Sequence, residues 1–322
     1  MSVPRKTLDR PVVLVGWLLW LEPKLTRTGL QQDEIAAVVP ILSVVDCCNL
    51  PTAASPVSKA HDYLLLVFPR LRRLQCPFPC LLPTSESAPT VAEVAVNLGW
   101  WAEVCTQLLA AVKGLHAANV AHCDIKPSNL LLDPVRGRLL LSDLGLARVD
   151  ASHAWIPRGT GTMDWCPDEI VKGKGGLPKP VDVFAVGLVM CKLMRHVLQG
   201  YWFRDTIYRH LERVSAARVA HLLCSVVRTL PAASLGLHVS DAAATGGSVP
   251  AETTWLHELE HLLCAMMAAD PANRPVIGEA QARFELVCGG LRQAYPTSPV
   301  SLKIDVSTVL ESTYMIERCT IK

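Results

Sequence analysis

The sequence predicts an α+β protein in two lobes, a small β-rich unit followed by a larger and mostly helical one. Three observations carry this expectation. Apolar runs suited to strands occur at residues 12–20 and 63–68. A stretch crowded with Pro, Ser and Thr follows at 76–90. Beyond it Trp101, Val104, Cys105, Leu108, Leu109 and Val112 recur at the offsets of one helical face. The chain has 322 residues, half of them hydrophobic, which is enough to bury a sizeable core. The expected division is a small lobe over 1–75, a loop over 76–95, a large lobe over 96–290 and a tail over 291–322.

The first run, "PVVLVGWLLWL", follows Arg5, Lys6 and Arg10 and so has the flanks of a secretory signal. It ends in "EPKL" without a small-residue cleavage site, and eleven apolar residues are too few to span a bilayer. A buried β-strand is the expectation. A helix is expected from about Gln31, carrying Glu34, Val38 and Ile41, with Pro40 ending or kinking it. The strand at 63–68 closes the small unit.

After the loop, the stripe through Trp101 and Val112 predicts a helix packed in the core. Two leucine-rich pieces, "NLLLD" and "RLLLSD", flank "PVRG", whose Pro and Gly suit a hairpin turn. Such a hairpin brings Asp124 and Asp143 near each other. From Val181 the pattern is mostly helical, broken by a Gly-, Ala- and Ser-rich insertion at 230–250. The tail alternates, as a strand or extended segment docked on the large lobe would.

Thirty-one basic and 29 acidic residues leave a formal charge of +2, so no global field draws the protein to nucleic acid or to a membrane. Any charged partner must be met locally. No motif bears on oligomeric state. The twelve cysteines lie singly or as the doublet Cys47 and Cys48, a pattern of reduced thiols in an intracellular protein, cytoplasmic or nuclear. Cys76 and Cys80 with that doublet match no familiar zinc spacing.

The chemistry-bearing stretch is "AHCDIKPSNLLL". His122, Asp124 and Asn129 fit the pattern H-R-D-L-x-x-x-N, with Cys123 at the Arg place and Ile125 at the Leu place. Asp143, Leu144 and Gly145 then stand where D-F-G would. "GTMDWCPDE" reads like a Gly-Thr stretch running into A-P-E, "VDVFAVG" follows, and "DPANRP" comes last. With these motifs in this order, the sequence resembles the eukaryotic protein kinase superfamily, of serine/threonine type.

The resemblance implies a bilobal kinase-like fold and transfer of the ATP γ-phosphoryl group, with Mg²⁺ as cofactor, to a hydroxyl of a protein substrate. It implies that Asp124 accepts the proton of that hydroxyl and that Lys126 neutralises charge on the transferring phosphate. Asn129 and Asp143 carry the oxygens that Mg²⁺ requires. Leu131 falls under the adenine, Phe68 guards the back of the pocket, and Pro69 to Leu71 form the hinge. Asp182 anchors the large lobe, and Arg274 pairs with Glu169. His122 is expected to be a packed core histidine. Thr160 and Thr162 are expected to shape the peptide-binding ledge rather than to be phosphorylated.

Several positions depart from the family pattern. Cys123 replaces the Arg that binds a phosphorylated activation loop, which argues against that mode of activation. Eighteen residues before Glu34, where the family's strand lysine falls, stands Gly16. Leu14 occupies the place of a small residue beside adenine, and no G-x-G-x-x-G loop precedes it. Two functions therefore stand beside each other: a serine/threonine protein kinase, and a pseudokinase that serves as a protein-binding scaffold.

Overall fold

The computed structural model describes residues 43–46, 63–68, 72–73, 91–133, 136–202, 251–296 and 315–320. In chain order the elements are β1 (Ser43–Asp46), β2 (Tyr63–Phe68), β3 (Arg72–Arg73), α1 (Val91–Ala117), β4 (Val120–Ala121), β5 (Leu130–Asp133), β6 (Arg138–Leu141) and β7 (Arg148–Val149). There follow α2 (Asp168–Val171), α3 (Pro178–Trp202), α4 (Ala251–Met266), α5 (Ile277–Ala294) and β8 (Met315–Thr320). The expected strand at 12–20, the helix near Gln31, Gly16, Leu14, Leu71, the four cysteines at 47, 48, 76 and 80, and the insertion at 230–250 lie outside the described residues.

Helix α1 forms where the periodic stripe predicts it and begins at Val91. Its buried residues include Trp101, Val104, Cys105, Leu108, Leu109 and Val112. They form one core with α3, α4 and α5. Trp101 is the joint between three helices. Its indole N–H donates to the Met190 carbonyl of α3 at 3.0 Å, and its ring meets Phe284 of α5 edge-on at 5.4 Å. A buried indole with its N–H satisfied and a T-shaped partner uses both its apolar body and its polar handle.

The hairpin expected around "PVRG" is present as β5 and β6, in the antiparallel register Leu130↔Leu141 to Asp133↔Arg138. Asp133 shapes the turn by accepting from the Arg136 N–H at 3.1 Å. Gly137 closes it at φ 66°, a left-handed conformation that glycine adopts without penalty. Because Leu130 and Leu141 face each other, Asn129 and Ser142 are neighbours just beyond the pairing. Strand β3 joins the same sheet, with Arg73 opposite Leu131.

The second sheet runs β1–β2–β8, antiparallel throughout. Here the tail departs from expectation. Its strand pairs with β2 along the full register Tyr63↔Thr320 to Phe68↔Met315, so it completes the small-lobe sheet instead of docking on the large lobe. The alternating pattern marked a strand, and β2 offered the edge whose backbone groups needed partners.

Candidate active site

The site is organised from a buried carboxylate. Asp182, near the start of α3, is fully buried. Its Oδ2 accepts from the His122 backbone N–H at 2.7 Å, and its Oδ1 from that of Cys123 at 2.8 Å. His116 Nε2, from the last turn of α1, lies 3.0 Å from Oδ2. Three groups converging on one carboxylate supply what burial of a charge demands. They also hold Cys123 at φ 63°, a conformation that a non-glycine residue adopts only when its surroundings require it.

His122, expected as a core residue, is one. It is fully buried, with Nε2 2.9 Å from the Ser142 carbonyl. The Asp124 N–H donates to its Nδ1 at 3.3 Å. A carbonyl can only accept and an amide N–H can only donate, so the Nε2–H tautomer satisfies both contacts. The imidazole thereby ties the catalytic-loop candidate to the strand that leads to Asp143.

Around Asp124 the polar groups close tightly. Lys126 Nζ donates to Oδ2 at 2.6 Å and to the Thr162 hydroxyl at 2.8 Å. Thr162 gives both its backbone N–H, at 3.0 Å, and its hydroxyl, at 2.8 Å, to Oδ1. Burial alone would raise the Asp124 pKa, but the hydrogen bonds from Lys126 and Thr162, with the Lys126 charge, hold it below the ordinary carboxylate value. The result is an ionised, oriented carboxylate.

Gly161 makes the Thr162 contact possible. Its φ is +88°, and a Cβ there would lie 2.7 Å from the Cys123 carbonyl oxygen. Only a residue without a side chain lets the segment approach the catalytic loop this closely. Thr160 is engaged too, donating its hydroxyl to the Pro157 carbonyl at 2.8 Å. Nearby, Lys192 of α3 lies over the Trp165 ring at 3.9 Å, pinning the ledge that follows.

Asn129 directs its amide nitrogen at Asp124, 2.9 Å from the backbone carbonyl and 3.3 Å from Oδ2. That leaves Oδ1 as the atom for a cation. Its own carbonyl accepts from the Ser142 N–H and hydroxyl at 2.9 and 3.0 Å, which draws Asp143 to the same end of the hairpin. Asp143 is exposed at φ 63°, and its carboxylate accepts from the Gly145 N–H at 3.3 Å. Leu144 meanwhile packs against the main core. An amide oxygen and a carboxylate are donors of the kind Mg²⁺ takes.

Of the residues singled out in the sequence, Asp124, Lys126, Asn129 and Asp143 therefore meet around one hairpin end. Leu131 is buried in β5, opposite Arg73 of β3. Phe68 ends β2. The sequence reading set Thr162 on the peptide-binding ledge without its bonds to the base candidate Asp124, and gave no site role to His116, which steadies Asp182. Burial, reinforced by Asp182, pushes the Cys123 thiol far above its ordinary value. Cys166 is pushed up to about 11 by burial and by Asp124 and Glu169.

Farther out, Arg274 forms a two-pronged pair with Glu169, Nη1–Oε1 at 2.6 Å and Nη2–Oε2 at 3.0 Å. The same guanidinium donates to the carbonyls of Pro180 and Ala268. Among the described residues no helix is long and apolar enough to cross a membrane, and no group of three or more metal-capable side chains is gathered.

A protein kinase domain model matches residues 90–283, more than half of the chain. The mitogen-activated protein kinase mpk-1 of Caenorhabditis elegans is 32% identical over 126 residues, 37% of this chain and 28% of its own length. Developmentally-regulated protein kinase 1 of Dictyostelium discoideum is 32% identical over 91 residues, 28% of this chain and 13% of its own length. Serine/threonine-protein kinase RAD53 of Saccharomyces cerevisiae is 29% identical over 129 residues, 35% of this chain and 16% of its own length. The chain thus spans 28% or less of these relatives. The motifs, the hairpin that unites them and the matched family model agree: this chain belongs to the protein kinase domain family.

Proposed function

We propose that this domain is a serine/threonine protein kinase, transferring the ATP γ-phosphoryl group to a hydroxyl of a protein substrate. The observation that carries the reading is the Asp124 carboxylate, which receives hydrogen bonds from both Lys126 and Thr162. A general base must be ionised and aimed before substrate arrives, and this network supplies both conditions.

In this reading Asp124 takes the proton of the substrate hydroxyl as it attacks. Lys126, tethered at 2.6 Å, stays beside the reacting oxygen and offsets negative charge there. Asn129 Oδ1 and the Asp143 carboxylate would hold Mg²⁺, which when bound would neutralise the phosphate oxygens. By the same resemblance Leu131 would fall under the adenine, Phe68 at the back of the pocket and Leu71 in the hinge. Thr162 fixes the substrate-facing segment to the base, so binding and proton transfer share one anchor. The same reading divides the chain into a small lobe to residue 75, a loop over 76–95, a large lobe to 290 and a tail.

A scaffold without phosphoryl transfer is favoured by one observation, the glycine at position 16 where the phosphate-binding lysine is expected. The test separates the two. Melting temperature with ATP and Mg²⁺ is measured first, and a kinase gains several degrees at saturating nucleotide. Labelled phosphate transfer to a basic protein is then compared for wild type and Asp124→Asn. Transfer lost in the variant supports the enzyme. An absent nucleotide shift, or equal transfer by both proteins, retires it.

A further inference from the structure

Helix α4 carries the stretch "HELEH" from His257 to His261. Residues four apart on a helix are neighbours on one face, and here the two imidazole rings lie with centroids 4.2 Å apart, tilted by 52°. Both histidines are exposed, on the side of α4 turned away from Leu259, Leu262 and Leu263, which are fully buried. Nothing in the phosphoryl-transfer reading uses them.

We propose that His257 and His261 chelate a divalent transition-metal ion of the Zn²⁺, Ni²⁺ or Cu²⁺ class. Two imidazoles select such ions over Mg²⁺ or Ca²⁺, which prefer oxygen donors. A tetrahedral ion bonded at ~2.0–2.1 Å to each nitrogen needs those nitrogens roughly 3.3 Å apart. With the ring centroids 4.2 Å apart, side-chain rotations bring one nitrogen of each ring to that separation without moving the helix. Glu258 and Glu260 lie between the two histidines in sequence and add negative potential to that stretch.

The stretch has the H-E-x-x-H spacing of zinc-dependent hydrolases, yet the geometry does not give it their chemistry. The Glu258 carboxylate stands 3.8 Å from Arg283 Nη2, bridging α4 to α5. No third metal-capable side chain joins the two rings among the described residues. Among the described residues the ion is therefore held by the two imidazoles, with its remaining positions open to water.

The test uses the full chain, tag-free and freed of metal with chelator, in equilibrium dialysis against Zn²⁺. Its ten histidines and twelve cysteines require a comparison of equivalents rather than a simple demonstration of binding. Wild type is expected to hold one equivalent more than His257→Ala, His261→Ala or the double variant. Where binding persists in a single variant, half-saturation should rise about tenfold or more. His153→Ala, which removes another exposed histidine, should leave that equivalent in place. Zn²⁺ should also slow amide exchange along α4 in wild type and not in the double variant. Equal equivalents in wild type and double variant, or an equal loss in His153→Ala, overturns the proposal.

Discussion

Arg274 and Glu169 lie 105 residues apart and meet in a two-pronged ion pair, with the Arg274 side chain 1% exposed and that of Glu169 16% exposed. The pair joins α2 to the turn before α5. Its guanidinium also satisfies two backbone carbonyls. Arg274→Ala would strand a nearly buried carboxylate and two carbonyls, and is expected to destabilise folding by about 3–5 kcal/mol. Arg274→Lys should recover little of it, since an ammonium cannot reproduce the fork. Urea denaturation of the two variants checks this.

Gly161 sets the distance between Thr162 and Asp124. Gly161→Ala combines a positive φ with a Cβ 2.7 Å from the Cys123 oxygen, so the loop must withdraw and take Thr162 with it. Hydrogen bonds to a charged group are worth about 1.5–3 kcal/mol, so Gly161→Ala and Thr162→Val should each lower kcat/KM by roughly 10- to 100-fold. Thr162→Ser should retain most activity. Steady-state phosphate transfer by the three variants distinguishes a lost contact from a lost fold.

The depressed Asp124 pKa has a definite sign in pH experiments. A carboxyl held lower in the folded state than in the unfolded chain adds stability above its unfolded pKa, about 3.9. That contribution is lost as pH falls through the folded value. Activity should accordingly persist through the mildly acid range. Lys126→Met removes the hydrogen bond and the charge that oppose burial, so the Asp124 pKa rises and the acid limb of kcat moves to higher pH. A pH–rate profile of wild type against variant reads the displacement.

Asp182 should be the least replaceable polar residue of the large lobe. Asp182→Ala leaves two buried backbone N–H groups and His116 without their acceptor. Each unsatisfied donor costs about 1–3 kcal/mol, so the variant should melt well below wild type and lose phosphate transfer with it. Calorimetry, together with activity measured at low temperature, tests the linkage.

Much of this site was legible because its parts are local. The Asp124–Asn129 spacing and the leucine-rich pieces around "PVRG" lie within twenty residues, and a hairpin of that length is specified by its own turn chemistry. Thr162 is different. It contacts Asp124 from 38 residues away, and the only local trace was a glycine on either side of Thr160. His116 likewise reads as one more residue at a helix end until Asp182, 66 positions later, is folded beneath it. The tail marked itself as a strand by alternation, but alternation carries no information about which edge a strand will join.

That last pairing bears on how the protein is made. Strand β2 sits near residue 65 and its partner β8 near residue 318. On the ribosome the first strand therefore waits for more than 240 residues of later synthesis before its second neighbour emerges, roughly 10–50 s at ~5–20 residues per second. During that interval the large lobe, whose helices pack from contacts formed earlier, can fold first, and one edge of the small sheet remains a target for chaperones or for wrong strands. Nascent chains arrested before and after Met315, probed by limited proteolysis, should show the small lobe acquiring protection only in the longer one.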